Sequence, residues 1–237
     1  MLARVVAAAA LMAALGGCAT TANNPSDPLE PLNRTVFRFN DAVDEAVLKP
    51  VARGYRAAVP QMARTGVTNF FANLEDLWIS ANNLMQGKVE SALGDFLRFT
   101  FNSSFGLLGV IDIASEMGLE KHNEDFGQTL GRWGVGSGPY LVLPFLGPST
   151  VRDGSALVVD YKAGLLSYAV DDVAVRNSLY ALKYVDTRAN LFDATGLVEE
   201  AALDKYTFVR DSWLQRRRSL VYDGNPPREP ADSDEPK

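Results

Sequence analysis

One cysteine and one histidine are all that the 237-residue chain offers to disulfide, thiolate or imidazole chemistry. The single thiol, Cys18, leaves no internal disulfide, so an oxidising compartment would supply no covalent staple. The single imidazole, His122, limits catalysis sharply, and neither HExxH nor CxxC occurs. A transition-metal site would have to be built almost wholly from carboxylates; no metal and no cofactor are expected. No serine stands in a GxSxG frame, the signature of a hydrolase nucleophile elbow. Positive charge is scarce as well, and a formal net charge of −6 argues against nucleic acid as a partner. No segment reads as a clean spanning helix, which needs roughly 20 apolar residues. With 47% hydrophobic and 22% charged residues, the chain is nevertheless one that folds around a core rather than one that stays disordered.

The cysteine's position is informative. Arg4 precedes an uncharged apolar run from Val5 to Leu15, followed by Gly16, Gly17 and Cys18. A basic start, a short apolar stretch and small residues before a cut describe a secretory signal. Leu15-Gly16-Gly17-Cys18 resembles the bacterial lipoprotein signal, which implies removal of residues 1–17 and acylation of Cys18. One acyl chain anchors only marginally, whereas two or three hold a protein on a membrane. Ala19 rather than aspartate after the cysteine favours, by the same resemblance, the outer membrane. Residues 18–28 read as the lipidated N-terminus and a flexible tether, 29–222 as the folded domain, and 223–237 as a Pro-rich, acidic, disordered tail.

Within the domain the dominant period is helical. Leu32, Val36, Phe39, Val43 and Val47 form an apolar stripe, and Pro50 is expected to stop that helix. A short helix over 51–59, helices over 61–73 and 76–86, and a stop at Gly87 follow. Residues 88–101 carry an apolar arc wide enough for a buried or a lipid-facing helix. One or two helices are expected within 157–190, a short one over 197–203 and a last one over 204–221. Arg216, Arg217 and Arg218 in its last turns suit the helix dipole; contact with anionic headgroups is the alternative.

From Trp133 to Val151 no residue is charged. Gly134, Gly136, Gly138 and Gly147 weaken a helix there, and Pro139, Pro144 and Pro148 break one. The segment is therefore a loop or hairpin with an apolar tip, Tyr140 to Leu146. Non-helical backbone survives at membrane depth only inside protein or beside a wet cavity, and the glycines make a hinge there plausible. A phosphate-loop reading fails, because Pro139 and Leu141-Val142-Leu143-Pro144 follow where a helix should open. His122 with Glu124 and Asp125 could do acid–base work, but no nucleophile is marked beside them.

The motifs converge on a family. Asp27-Pro28-Leu29-Glu30-Pro31-Leu32-Asn33-Arg34 and Phe37-Arg38-Phe39-Asn40 resemble the start of the MlaA/VacJ lipoproteins. So do Lys49-Pro50-Val51-Ala52, Asn82-Asn83-Leu84-Met85-Gln86-Gly87 and Glu124-Asp125-Phe126-Gly127-Gln128-Thr129-Leu130-Gly131. The likeness continues through Gly134-Val135-Gly136-Ser137-Gly138-Pro139-Tyr140 and Leu143-Pro144-Phe145 to Thr187-Arg188-Ala189. It implies a mainly α fold: a ring-like bundle of amphipathic helices embedded in the inner leaflet of the outer membrane around a central polar channel. It implies passage of mislocalised phospholipid from the outer leaflet to a soluble periplasmic carrier, association with a porin trimer, and no enzymatic activity. Phe39, Asn40, Gly134, Gly136, Gly138 and Pro139 are the candidates for setting the channel's openness, and Cys18 for lipid attachment. A lipoprotein hydrolase and a porin-docking structural lipoprotein are the competing readings.

Overall fold

The computed structural model describes residues 27–227. The expected signal, Cys18 and all of the tail beyond 227 lie outside the described residues. The tether expected to reach residue 28 gives way to packed structure at Asp27, which is buried.

The chain is mainly helical. Helix α1 (Glu30–Val43) runs through a π-helical turn (Asp44–Leu48) directly into α2 (Lys49–Ala58). Pro50 therefore does not stop the helix. Proline lacks an N–H and clashes with the carbonyl four residues back. A wider turn just before it, with Lys49 N–H donating to Asp44 O, accommodates both problems. Helix α3 (Gln61–Met85) is a single rod where two helices were expected; neither Gly nor Pro stands between 67 and 85 to interrupt it. Gly87 ends the connection with φ +81°, and α4 (Val89–Ser104) folds back along α3. Short helices α5 (Ile113–Glu116) and α6 (Phe126–Arg132) lead to the uncharged segment. There β1 (Tyr140–Leu143) and β2 (Gly147–Thr150) pair antiparallel, with Leu143 opposite Gly147. The three-residue tip puts Phe145 at φ +63° and Gly147 at φ +82°, the left-handed positions that such a loop demands. Helices α7 (Val151–Ala163), α8 (Leu165–Ala169), α9 (Val173–Asn190), α10 (Phe192–Ala201) and α11 (Lys205–Val221) complete the domain. Their starts are written in the sequence: Thr150, Asp172 and Asp204 each accept a backbone N–H of the following turn.

The contacts between elements close into a circuit. Helix α2 packs on α9, α9 on α3, α3 on α8, α8 on α7, α7 on β1, and β1 on α1, which is continuous with α2. Helix α11 braces α6 and β2.

What is buried is unusually polar. Asn73, Asp76, Asn82, Asn83, Asp95 and Arg98 are nearly inaccessible, all on the α3–α4 pair. Several are tied down: Asn83 Nδ2 donates across the pair to Asp95 at 2.8 Å, and Arg98 grips Asp112, just before α5, with two bonds of 2.9 and 3.0 Å. The apolar cluster is small. Tyr140, Val142 and Tyr206 form it, with Val36, Phe37, Trp213 and Leu214 against them. Meanwhile Phe96, Phe105, Leu107, Leu108, Phe145 and Val158 stand exposed. An amphipathic helix in water buries its apolar stripe; here Val89, Leu93 and Phe96, one stripe of α4, face outward while polar groups fill the interior. Among the described residues, no helix is long and apolar enough to cross a membrane.

Candidate functional site

A cavity of about 830 Å³ lies among α3, α7, α8 and α9 of that circuit, with the hairpin and α11 contributing. This is within the usual range of ligand sites. One wall is apolar, with Phe71, Leu74 and Ile79 from α3, Leu157 and Val158 from α7, and Leu166 from α8. Residues spaced three or four apart on α11, namely Trp213, Arg216, Arg217 and Leu220, present one helix face to it. Glu75, Glu124, Asp125, Asp160 and Lys183 supply further polar groups.

Most of these charges are already engaged. Glu75 pairs with Lys183 between α3 and α9. Glu124 accepts from Gln86 at 2.8 Å and from Lys88 at 3.0 Å. Arg217 forks onto Asp125 with two bonds of 2.6 Å and also reaches Asp153 at 2.9 Å. Burial alone would push the Asp153 carboxyl up, but the guanidinium groups of Arg217 and Arg152 hold it below the usual carboxylate range. Asp160 behaves oppositely. Burial pushes its carboxyl up against the hydrogen bonds from Trp78 Nε1 at 2.8 Å and Phe126 N–H at 2.9 Å. Arg216 is exposed and forms no ion pair with a described residue.

The glycine run lines a different space. Gly134, Gly136, Gly138 and Pro139 border a second cleft of about 680 Å³, together with Arg152, Arg217, Arg218 and Tyr222. Arg217 thus faces both volumes. The run is held at alternate carbonyls: Val135 O accepts from Arg152 Nη1 at 3.3 Å, and Ser137 O and Pro139 O accept at 3.1 Å each from the first N–H groups of α7. Gly134 and Gly138 have φ +91° and +66°, whereas Gly136 does not occupy the left-handed region. Open space surrounds the Cβ positions of Gly134 and Gly136.

Phe39 and Asn40 border neither volume; they hold the hairpin. Asn40 Nδ2 donates to Leu143 O at 2.9 Å, and Phe145 N–H donates to Asn40 Oδ1 at 2.8 Å. The Phe39 ring meets that of Phe145 edge-on, with centroids 5.3 Å apart. One helical repeat earlier, Asn33 does the same to the other end of β1, donating to Tyr140 O at 3.0 Å and accepting from Val142 N–H at 2.9 Å. Seven helical residues rise about 10.5 Å, and three strand residues about 10 Å. The two amides therefore match the free edge of β1 and take the place of a third strand. Asn33 was not among the expected site residues; its seven-residue spacing from Asn40 was the available sign. Asn33 also donates to Asp27 at 2.8 Å, and Asp27 accepts from Tyr206 and, at 3.3 Å, from Arg210.

His122 and its neighbours are structural. His122 Nδ1 lies 3.1 Å from Asp95, a carboxylate fully enclosed between α3 and α4. Asp125 caps α6 through Gln128 N–H at 2.8 Å. Among the described residues, no group of three or more His, Cys, Asp or Glu side chains could hold a metal.

The family model described as MlaA lipoprotein matches residues 25–220. The intermembrane phospholipid transport system lipoprotein MlaA of Escherichia coli (strain K12) is 36% identical over 217 residues, covering 89% of this chain and 85% of that one. Its counterpart in Haemophilus influenzae is 33% identical over 222 residues, with 89% and 87% covered. A solved structure described as "Structural basis for maintenance of bacterial outer membrane lipid asymmetry" superposes with a TM-score of 0.74 at 36% identity, covering 83% of this chain and 99% of that chain.

Proposed function

The chain belongs to the MlaA lipoprotein family, and from that premise we propose that it removes mislocalised phospholipid from the outer leaflet of the outer membrane. Acylation of Cys18 anchors it, and the outward-facing apolar side chains rest in the inner leaflet. Lipid enters a polar passage and leaves to a soluble periplasmic carrier; a porin trimer holds the protein in place. The observation that carries this reading is a cavity with one apolar and one charged wall, set among four helices, α3, α7, α8 and α9, of a closed circuit of packed elements. Moving a lipid between leaflets needs a route for a polar head through an apolar layer, and such a route requires no bond to be made or broken.

In this scheme Asn40 and Phe39 are positioning residues that fix the hairpin tip. Gly134, Gly136, Gly138 and Pro139 are the backbone joint between the fixed hairpin and α6. Their link to the passage runs through Leu143 and Leu146 of the hairpin, which line the cavity.

The test is the amount of phospholipid in the outer leaflet of cells lacking the gene. Deletion is expected to raise it, the wild type to restore it, and Cys18→Ala to fail. Unchanged outer-leaflet phospholipid on deletion would sink the transport reading. Gly136→Pro is expected to complement poorly; full complementation would remove the joint.

A further inference from the structure

We propose that Arg216 is the binding residue for the phosphate of the transported phospholipid, holding the headgroup while the chains lie on the apolar wall of the cavity. The inference rests on the lipid-transport reading and adds the group that recognises the cargo.

It follows from the charges lining the cavity. Of the cations there, Lys183 is paired with Glu75, and Arg217 is fixed between Asp125 and Asp153. The acids are equally engaged: Glu124 with Lys88, and Asp160 with the indole N–H of Trp78 and the N–H of Phe126. Arg216 is the lining cation left without an ion pair among the described residues. An unpaired guanidinium beside an apolar wall suits a ligand that brings an anion and hydrocarbon together. A guanidinium offers a planar fork of donors that matches two phosphate oxygens at once. Leu74, Leu157, Val158 and Leu166 give hydrocarbon an apolar surface on the cavity wall. Arg217 next to it cannot serve equally, since a phosphate would have to displace carboxylates bonded at 2.6 Å.

The experiment uses the full-length protein in a nonionic detergent and two probes, dihexanoyl phosphatidylglycerol and dihexanoylglycerol, which lacks the phosphate. Calorimetry is expected to show tighter binding of the phospholipid. Arg216→Gln should weaken the phospholipid about tenfold or more, the worth of a charge-assisted bond, and leave dihexanoylglycerol unchanged. Arg216→Lys should retain part of the difference. Lys162→Gln removes the same charge from an α7 residue that does not line the cavity and should change neither affinity. Phospholipid affinity unaltered by Arg216→Gln would overturn the assignment and leave the transport reading standing. A wild type that binds neither probe would overturn the cavity as a lipid site, and the assignment with it. Inorganic phosphate competing as strongly as the phospholipid would make this a free-phosphate site and overturn the headgroup assignment. Because Arg216 bonds to no described residue, its variants should melt with the wild type, so lost affinity would report on binding rather than folding.

Discussion

The two halves of the uncharged stretch between Arg132 and Arg152 share the absence of charge and differ in constraint. From Tyr140 to Leu143 the backbone is bonded on both edges, by β2 on one side and by the amides of Asn33 and Asn40 on the other. From Gly134 to Pro139 the N–H groups of Gly134 and Val135 return to α6 and the carbonyls of Val135, Ser137 and Pro139 accept from α7, with no strand alongside and open space around Gly134 and Gly136. Glycine and proline in both halves exclude a helix from either, but do not say which is held. What separates a platform from a joint is which neighbour answers the backbone's hydrogen-bonding groups.

The largest effect on this contrast should come from Asn33→Leu. The substitution leaves a buried carbonyl and N–H of β1 without partners and takes one bond from Asp27. Each orphaned group costs about 1–3 kcal/mol, so a loss of at least about 3 kcal/mol is expected in chemical denaturation of the detergent-solubilised protein. A loss under about 1 kcal/mol would mean that α1 is not what holds the strand edge. Asn40→Ala should cost less, about 1–2 kcal/mol, because Phe145 is exposed and water can replace the amide there. It should also speed hydrogen exchange at Phe145 and leave the exchange of Gly136 alone. Equal acceleration at both would show that platform and joint move as one. The smallest effect separates the glycines themselves. Alanine at Gly134 must adopt φ near +91° and should destabilise by about 1 kcal/mol. Alanine at Gly136, in open space and outside the left-handed region, should be neutral or stabilise by up to about 1 kcal/mol. Matching losses at the two sites would contradict the geometry described.

Much of the architecture was legible in sequence because it is local. The stop at Gly87 and the apolar-tipped hairpin each follow from a few neighbouring residues, whereas the helix starts capped by Thr150 and Asp172 were not among the expectations, which put one or two helices within 157–190. Pro50 misled because its cost depends on whether the preceding turn can widen, which composition does not record. The break expected between 73 and 76 had no breaker residue behind it. The candidate residues divided for a similar reason. Motif proximity grouped Phe39 and Asn40 with the glycines, but they act on opposite ends of the hairpin segment. The cavity wall, by contrast, is assembled from α3, α7, α8, α9 and α11, so Trp78, Asp160, Lys183 and Arg216 share no sequence window. An unpaired arginine is visible only once every other charge has found its partner.

The bond set of Asp27 has a mechanical meaning. Nine residue steps lead to it from Cys18, a span of at most about 32 Å when fully extended. Under the proposed acylation of Cys18 the chain would be on a short leash, tied off at a carboxylate that Tyr206 and Arg210 of the last helix both grip. Tension from such an anchor would enter the fold where its first and last helices meet. It would load α1 and α11 along their shared seam rather than peeling away a terminus, and α11 is the helix that presents Arg216 to the cavity.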